Sequence, residues 1–239
     1  MAELFDKFDG FVAASHELKT PLTLIAQLSA LLQDDLVDLT PTEQAQALER
    51  IHLSAQRTLR LVQGLTSSYR LMDIDQLELS LEPLNLAQTC EDVVQELWPL
   101  AKAQSQTIEL QWGSRQQQLV VGHRDLLRSV VSNLVDNAIR HNSSGASVRL
   151  HMRRQGAMMR LCVKDDGPGF SRQEFRTIHA RLGKEVQPFR AHPTSSGLGL
   201  FIAGQLATAM GGRIGMGSLV KGADFHLELR HSTQLSFLT

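Results

Sequence analysis

Apolar residues in the first third of the chain recur every three or four positions. Beyond it they mostly alternate, in short runs broken by helical stretches. Phe11, Leu18, Leu22, Ile25 and Leu32 keep the spacing of one helix face. Asp38-Leu39-Thr40-Pro41 reads as a turn, with Thr40 as N-cap, Pro41 at the first helical position and Glu43 completing a capping box. Leu48, Ile51, Ala55, Leu59, Val62, Leu65 and Met72 then repeat the helical spacing. Residues 1–74 therefore read as an antiparallel helical hairpin. One hairpin buries neither stripe well, whereas two pair into a four-helix bundle, so a homodimer is expected. The alternative is a monomeric hairpin docked on the part that follows.

From about Asp75 the period changes. Gln76 to Leu81 alternates like a strand that Pro83 ends, and residues 85–105 look helical. Thr107–Trp112 and Gln118–Val121 read as strands, and Arg124–His141 as a helix. Ser147–Arg153 and Met158–Lys164 form an antiparallel pair around Gln155-Gly156. A helix over Leu198–Met210 and strands at Arg213–Gly217 and Ala223–Leu229 close the chain. Strands and helices mixed without strict alternation predict an α/β sandwich rather than a doubly wound parallel sheet. The reading is a hairpin over 1–74, a linker or hinge over 75–84 and a sandwich domain over 85–239.

Composition removes several functions. A net charge of −1 with 21% charged residues leaves no footprint for nucleic acid or an anionic membrane. Cys90 and Cys162 lie far apart in alternating apolar contexts, which suits buried thiols in a reducing compartment. No stretch approaches the roughly 18 apolar residues of a membrane span, and the start lacks a signal pattern. As given, the chain reads as soluble and cytoplasmic.

The candidate chemistry begins at Ser15-His-Glu-Leu-Lys-Thr-Pro-Leu22. His16 and Thr20 are four apart and share a helix face. At about 100° per residue His16 lies roughly 200° from Leu18, away from the apolar seam. An imidazole so placed suggests a nucleophile or phosphate carrier rather than a core residue. The run opens like the zinc signature H-E-x-x-H, but Thr20 replaces the second histidine. Pro21 removes an N–H owed to the carbonyl of Glu17, which predicts a bend just beyond His16. The whole box resembles the phosphoacceptor motif of sensor histidine kinases. That resemblance implies that His16 accepts the γ-phosphoryl of ATP and that Glu17 orients or deprotonates the ring. It implies that Thr20 positions water when the helix promotes dephosphorylation of a partner.

Three later segments carry polar groups that a core does not need. In Asn133-Leu-Val-Asp-Asn-Ala-Ile-Arg-His141, Asn133, Asn137, Arg140 and His141 fall on one helical face, while Leu134, Val135 and Ala138 can pack on a sheet. In Asp165-Asp-Gly-Pro-Gly-Phe170, Gly167 and Gly169 permit a sharp turn, and Asp165 can accept from an exocyclic amine. In Ser195-Ser-Gly-Leu-Gly-Leu200, Gly197 and Gly199 open a helix N-terminus suited to phosphate. The three resemble the N, first-glycine and second-glycine boxes of the Bergerat-type ATP-binding domain shared by histidine kinases, gyrase, MutL and certain chaperones. By that resemblance Asn133 and Asn137 hold Mg2+, and Arg140 and His141 face the phosphates. Asp165 reads adenine, Gly167 and Gly169 shape the pocket, and Gly197, Leu198 and Gly199 contact the triphosphate.

The chain departs from the family in three places. His123 stands where an Asp commonly precedes the N-box helix, with Arg124 and Asp125 able to compensate. His141 replaces a common Tyr. The segment from Phe175 to Ser196, the family's lid, follows its phenylalanine-rich box loosely, with Phe189 as anchor and Arg190 reaching the phosphates.

Hydrolytic relatives carry a glutamate where Asn133 stands, and an amide cannot act as general base. The expectation is an ATP-dependent protein-histidine kinase that passes phosphate to a response regulator receiver domain, with possible phosphatase activity on that regulator. By family analogy a full-length parent carries an upstream sensor or membrane region at the inner membrane. Two other readings stay open: a non-catalytic dimeric interaction module with a decayed ATP site, and a mechanical ATPase of the gyrase kind.

Overall fold

The computed structural model describes residues 2–34, 37–73, 79–112, 118–182, 198–217 and 222–233; for 2–14, 16–17, 65, 67–73 and 181 it describes the backbone alone. Two long helices come first, α1 (Ala2–Gln33) and α2 (Pro41–Asp73). The Thr40–Glu43 capping box forms in full. Thr40 N donates to Glu43 Oε2 at 2.9 Å, and Glu43 N donates back to Thr40 Oγ1 at 3.3 Å. These two bonds satisfy donors that a helix start leaves open. α1 keeps its helical run through Pro21, which is buried. None of the described helices is long and apolar enough to cross a membrane.

The second region contains β1 (Glu82–Asn85), α3 (Leu86–Ala103), β2 (Thr107–Gln111), β3 (Leu119–Gly122) and α4 (Arg124–Arg140). It continues with β4 (Ser147–Gln155), β5 (Met158–Asp165), α5 (Arg172–Arg181), α6 (Leu198–Ala209), β6 (Arg213–Met216) and β7 (Asp224–Arg230). Five strands form one sheet in the order β2-β4-β5-β7-β6, with β2 parallel to β4 and the other pairs antiparallel. β1 and β3 form a separate antiparallel pair. Helices α3, α4 and α6 pack over the sheet. Register aligns Leu150 with Val163 and Leu161 with Leu227, all buried on the helix side. The opposite face is polar. There Glu228 is 3% exposed and takes Arg160 and Arg213, so its charge is paired rather than orphaned. The result is the two-layer α/β sandwich that the mixed pattern predicts.

Two local expectations need correction. The strand read over Gln76–Leu81 is not seen in its described part. The observed strand is Glu82–Asn85, with Pro83 inside it opposite Val121. Proline is tolerated there because a two-stranded ribbon is all edge. The fold of the second region thus begins within the stretch read as linker. The segment read as lid, Phe175 to Ser196, begins inside a helix, α5. α5 is opened by a capping box in which Glu174 N donates to Ser171 Oγ at 3.2 Å and Ser171 N donates to Glu174 Oε2 at 2.8 Å.

Cys90 and Cys162 are free and buried, and burial pushes both thiols up. The hairpin sits on the sandwich. Leu61 of α2 joins the core cluster, Leu18 of α1 packs against it, and both helices touch α6. A Cβ on Gly64 would lie 3.1 Å from Ile202 Cγ2, so the glycine lets α2 and α6 approach closely.

Candidate nucleotide and phosphoacceptor site

Helix α4 is amphipathic in the sense the site requires. Leu134, Val135, Ala138 and Ile139 are buried, while Asn133, Asn137, Arg140 and His141 are half-exposed along the other face. Its N-cap is His123, whose side chain makes no capping bond, consistent with the loss of the family's aspartate there. Asn133 Nδ2 donates to the Ser129 carbonyl at 2.8 Å, which turns Oδ1 toward the start of α6. A Cβ on Gly199 would stand 3.2 Å from that Oδ1, so Gly199 keeps the two elements in close approach.

The loop after β5 completes the enclosure. Asp165 is buried, and its Oδ1 accepts from Gly167 N at 2.9 Å and from Ala223 N at 3.1 Å. Burial pushes its carboxyl up, although the two amide bonds pull the other way. Gly167 lies against Asn142 Oδ1 and the His141 carbonyl, where a Cβ would come within 3.0 and 3.2 Å. Gly169 has φ +70 and a Cβ there would stand 2.7 Å from the Gly222 carbonyl oxygen, so two glycine backbones cross. Phe170 then packs edge-on against Phe225, with ring centroids 6.0 Å apart.

The structure therefore brings Asn133 against Gly199 and, two turns along α4, His141 against Gly167, with Asp165 and the Gly169–Gly222 crossing beside the latter. Leu198 opens α6 and its side chain is fully buried. Arg140 Nε donates to Asp136 Oδ2 at 2.6 Å. Thr20 is exposed on α1. Arg190, Phe189 and Gly197 lie outside the described residues, as do the side chains of His16 and Glu17.

Sequence reasoning missed three participants. Gly222, at φ +76, has no room for a Cβ because the Asp165 carbonyl oxygen occupies that space. Ala223 supplies one of the two amides that fix Asp165. Asp136 was seen only as a residue between the two asparagines. It faces a cavity of ≈ 520 Å³ lined by Arg57, Arg60, Leu61 and Gln63 of α2 together with Asn133 and Asp136 of α4. Only the i, i+4 spacing of Asp136 and Arg140 carried a local signal.

Comparison with known proteins matches both regions. Residues 11–71 match the family described as His Kinase A (phospho-acceptor) domain. Residues 122–233 match the Histidine kinase-, DNA gyrase B-, and HSP90-like ATPase family. Sensor protein SphS of Synechococcus elongatus is 36% identical over 208 residues, covering 84% of this chain and 48% of that protein. The chain thus spans about half the length of that curated relative. The solved structure of Acinetobacter baumannii histidine kinase AdeS superposes with a TM-score of 0.61 at 22% identity, covering 91% of this chain and 98% of that one. Histidine kinase ThkA, solved in complex with response regulator protein TrrA, gives a TM-score of 0.57 at 18% identity over 92% of this chain and 60% of that one. At such identities the two structures speak for the fold. With an acceptor-histidine hairpin matched first and an ATPase sandwich matched second, the chain belongs to the sensor histidine kinases and is their catalytic core.

Proposed function

We propose that this chain phosphorylates its own His16 with the γ-phosphoryl of ATP. It then passes the group to an aspartate on the receiver domain of a response regulator. On the same helix, Thr20 aids the reverse task of dephosphorylating that regulator. The observation that carries the reading is the facing of Asn133 Oδ1 and the Gly199 helix start, on a chain whose α1 holds the Ser15–Leu22 box. This is a donor site with an amide at position 133 where hydrolytic relatives carry a glutamate, joined to an acceptor histidine.

Phosphoryl transfer needs positioning and charge neutralisation more than covalent help from the protein. Asp165 accepts from the exocyclic amine of adenine. The backbone N–H groups at the start of α6 and the Arg140 guanidinium offset phosphate charge. The Asn133 oxygen, held outward because its NH2 is tied to Ser129, fits a hard cation that prefers oxygen donors, and Asn137 lies one turn on. Mg2+ bound there would neutralise the charge that develops on the phosphates. His16 attacks as the neutral imidazole through Nε2. The N–P bond forms as the bond from phosphorus to the bridging oxygen of ADP breaks, and ADP leaves. The proton on Nδ1 stays hydrogen-bonded to Glu17. The connection between α2 and β1 acts as the hinge that brings the ATP domain to His16. The hairpin pairs with a second copy through its exposed stripe.

Incubation with γ-labelled ATP and Mg2+ tests this. The chain takes up acid-labile label, and His16→Gln abolishes it; label that survives the substitution rules out His16 as acceptor. Asn137→Asp weakens binding of an ATP analogue in calorimetry, and unchanged affinity contradicts its role in holding Mg2+. Transfer to a panel of receiver domains identifies the regulator.

A further inference from the structure

Two ion pairs meet on one carboxylate where the hairpin sits on the ATP domain. Glu96 of α3 accepts from Arg60 of α2 at 3.0 Å through Oε1 and from Arg128 of α4 at 2.6 Å through Oε2. Glu96 and Arg128 belong to the same domain, so Arg60 is the member that crosses. The crossing pair is partly covered, with Arg60 21% and Glu96 30% exposed. Beside it lies a small apolar seat, where Leu61 is buried and a Cβ on Gly64 would touch Ile202 of α6. Arg60, Leu61 and Gly64 occupy a single turn of α2, so one short stretch of the hairpin supplies both the clasp and the seat. Domains joined by a small interface move relative to each other unless something holds them.

Seating sets where the acceptor position lies. Leu18 of α1 packs against the same core cluster that Leu61 joins. The backbone of α1 is helical throughout, so at about 100° per residue position 16 lies roughly 200° around it from Leu18. Position 16 and the seated ATP domain therefore occupy different faces of α1. Transfer within one chain then requires the domain to leave this seat and swing on its connection toward the other face. A bond that holds the seat opposes that swing.

We infer that Glu96 is a positioning residue: its clasp of Arg60 parks the ATP domain on α2, and opening that clasp frees the domain to reach His16. The inference rests on the proposed transfer of phosphate to His16.

Acid-labile labelling of the full chain is timed at saturating ATP and Mg2+, with binding of a non-hydrolysable analogue measured beside it. A native chain that takes no label defeats the kinase reading itself. Given labelling, Arg60→Gln and Glu96→Gln each raise the maximal rate about 3-fold, the scale on which a partly exposed ion pair shifts an equilibrium. Analogue affinity stays unchanged. Together the two substitutions do no more than either alone, since both open the same bond. Arg60→Lys keeps the charge and with it the slow rate. Rates at or below the native value, gains that add in the double variant, or a lysine variant as fast as the glutamine one overturn the inference. A tether tests the seat directly. A Cβ on Gly64 would stand 3.7 Å from Ser129 Oγ of α4, within reach of a disulfide, so Gly64→Cys with Ser129→Cys locks the seat on oxidation. Labelling is lost in the oxidised chain and returns on reduction. An oxidised chain that labels at the reduced rate shows the seated pose to be competent and refutes the clasp. Should the cysteine pair not fold or not close, the rates of the Arg60 and Glu96 variants decide.

Discussion

Leu48 and Leu59 of the hairpin are 58% and 61% exposed, and Leu22 and Val62 stand out beside them. In the sandwich, Leu127, Leu134, Leu161 and Phe225 are at or below 2%. Both regions carry apolar residues at helical spacing, but those of α3 and α4 are gathered on one face more sharply than those of α1 and α2, and the sandwich holds most of the core. The ATP domain is self-sufficient in burial. The hairpin depends on neighbours, gaining some cover from α6 and leaving the rest of its stripe open. His16 thus lies on the region that leaves apolar side chains open, whereas Asn133, Asp165 and Gly199 lie on the region that buries its own. This division suits a kinase whose output is governed by contacts made by its helices.

The most forceful way to break the comparison is to charge the open stripe. Each leucine is worth about 1.5–3 kcal/mol when buried, and a symmetric bundle loses it in both copies. Leu48→Asp with Leu59→Asp should therefore yield a monomer by light scattering while ATP-analogue binding persists; a dimer that survives shows that the stripe is not the pairing face. The converse attack is Phe225→Ala, which removes a fully buried ring and should cost about 3–5 kcal/mol. Denaturant titration should show the sandwich losing that stability together with its nucleotide affinity, whereas the dimer mass is retained at low denaturant.

A smaller effect follows from the crossed glycines. Gly222→Ala strains a backbone at φ +76 and pushes on the Asp165 carbonyl, a penalty of about 1–3 kcal/mol for such strained positions. Calorimetry should find ATP binding impaired with helical content unchanged. The smallest signal is a pair of slopes. Burial raises the Asp165 pKa, so the folded chain holds that proton more tightly than the unfolded chain does. Its contribution to stability is fully present below the unfolded pKa and is lost as pH rises through the raised one. ATP affinity should rise over the same window, since the carboxylate accepts from the adenine amine more strongly than the protonated acid does. The difference between the native chain and Asp165→Asn, measured for both quantities, should have opposite signs. Slopes of the same sign contradict either the raised pKa or the adenine contact.

Much of this fold is legible because local rules and tertiary packing agree. The Thr40 cap, the Gly156 turn and the amphipathic face of α4 are each written within a few residues. Legibility fails where the deciding partner is distant. Gly222 reads as an ordinary loop glycine, and nothing near it shows that the Asp165 carbonyl, 57 positions upstream, needs its space. Arg60 and Glu96, 36 residues apart, carry no pattern that pairs them. The apolar stripe of α2 looks the same whether it meets a second copy or α6, so docking and dimerisation were alternatives rather than partners. α5 is a different case. Its Ser171-x-x-Glu174 box is a local start signal, just ahead of the segment that the family resemblance marks as lid.

The bond from Asn133 to the Ser129 carbonyl has a bearing on ancestry. It fixes which end of the amide looks into the site. A glutamate there, as hydrolytic cousins carry, has no NH2 to donate to the Ser129 carbonyl, which the helix already satisfies through the backbone N–H of residue 133. The amide thus holds its own oxygen in place, whereas a carboxylate at position 133 loses that tether and needs another to aim it.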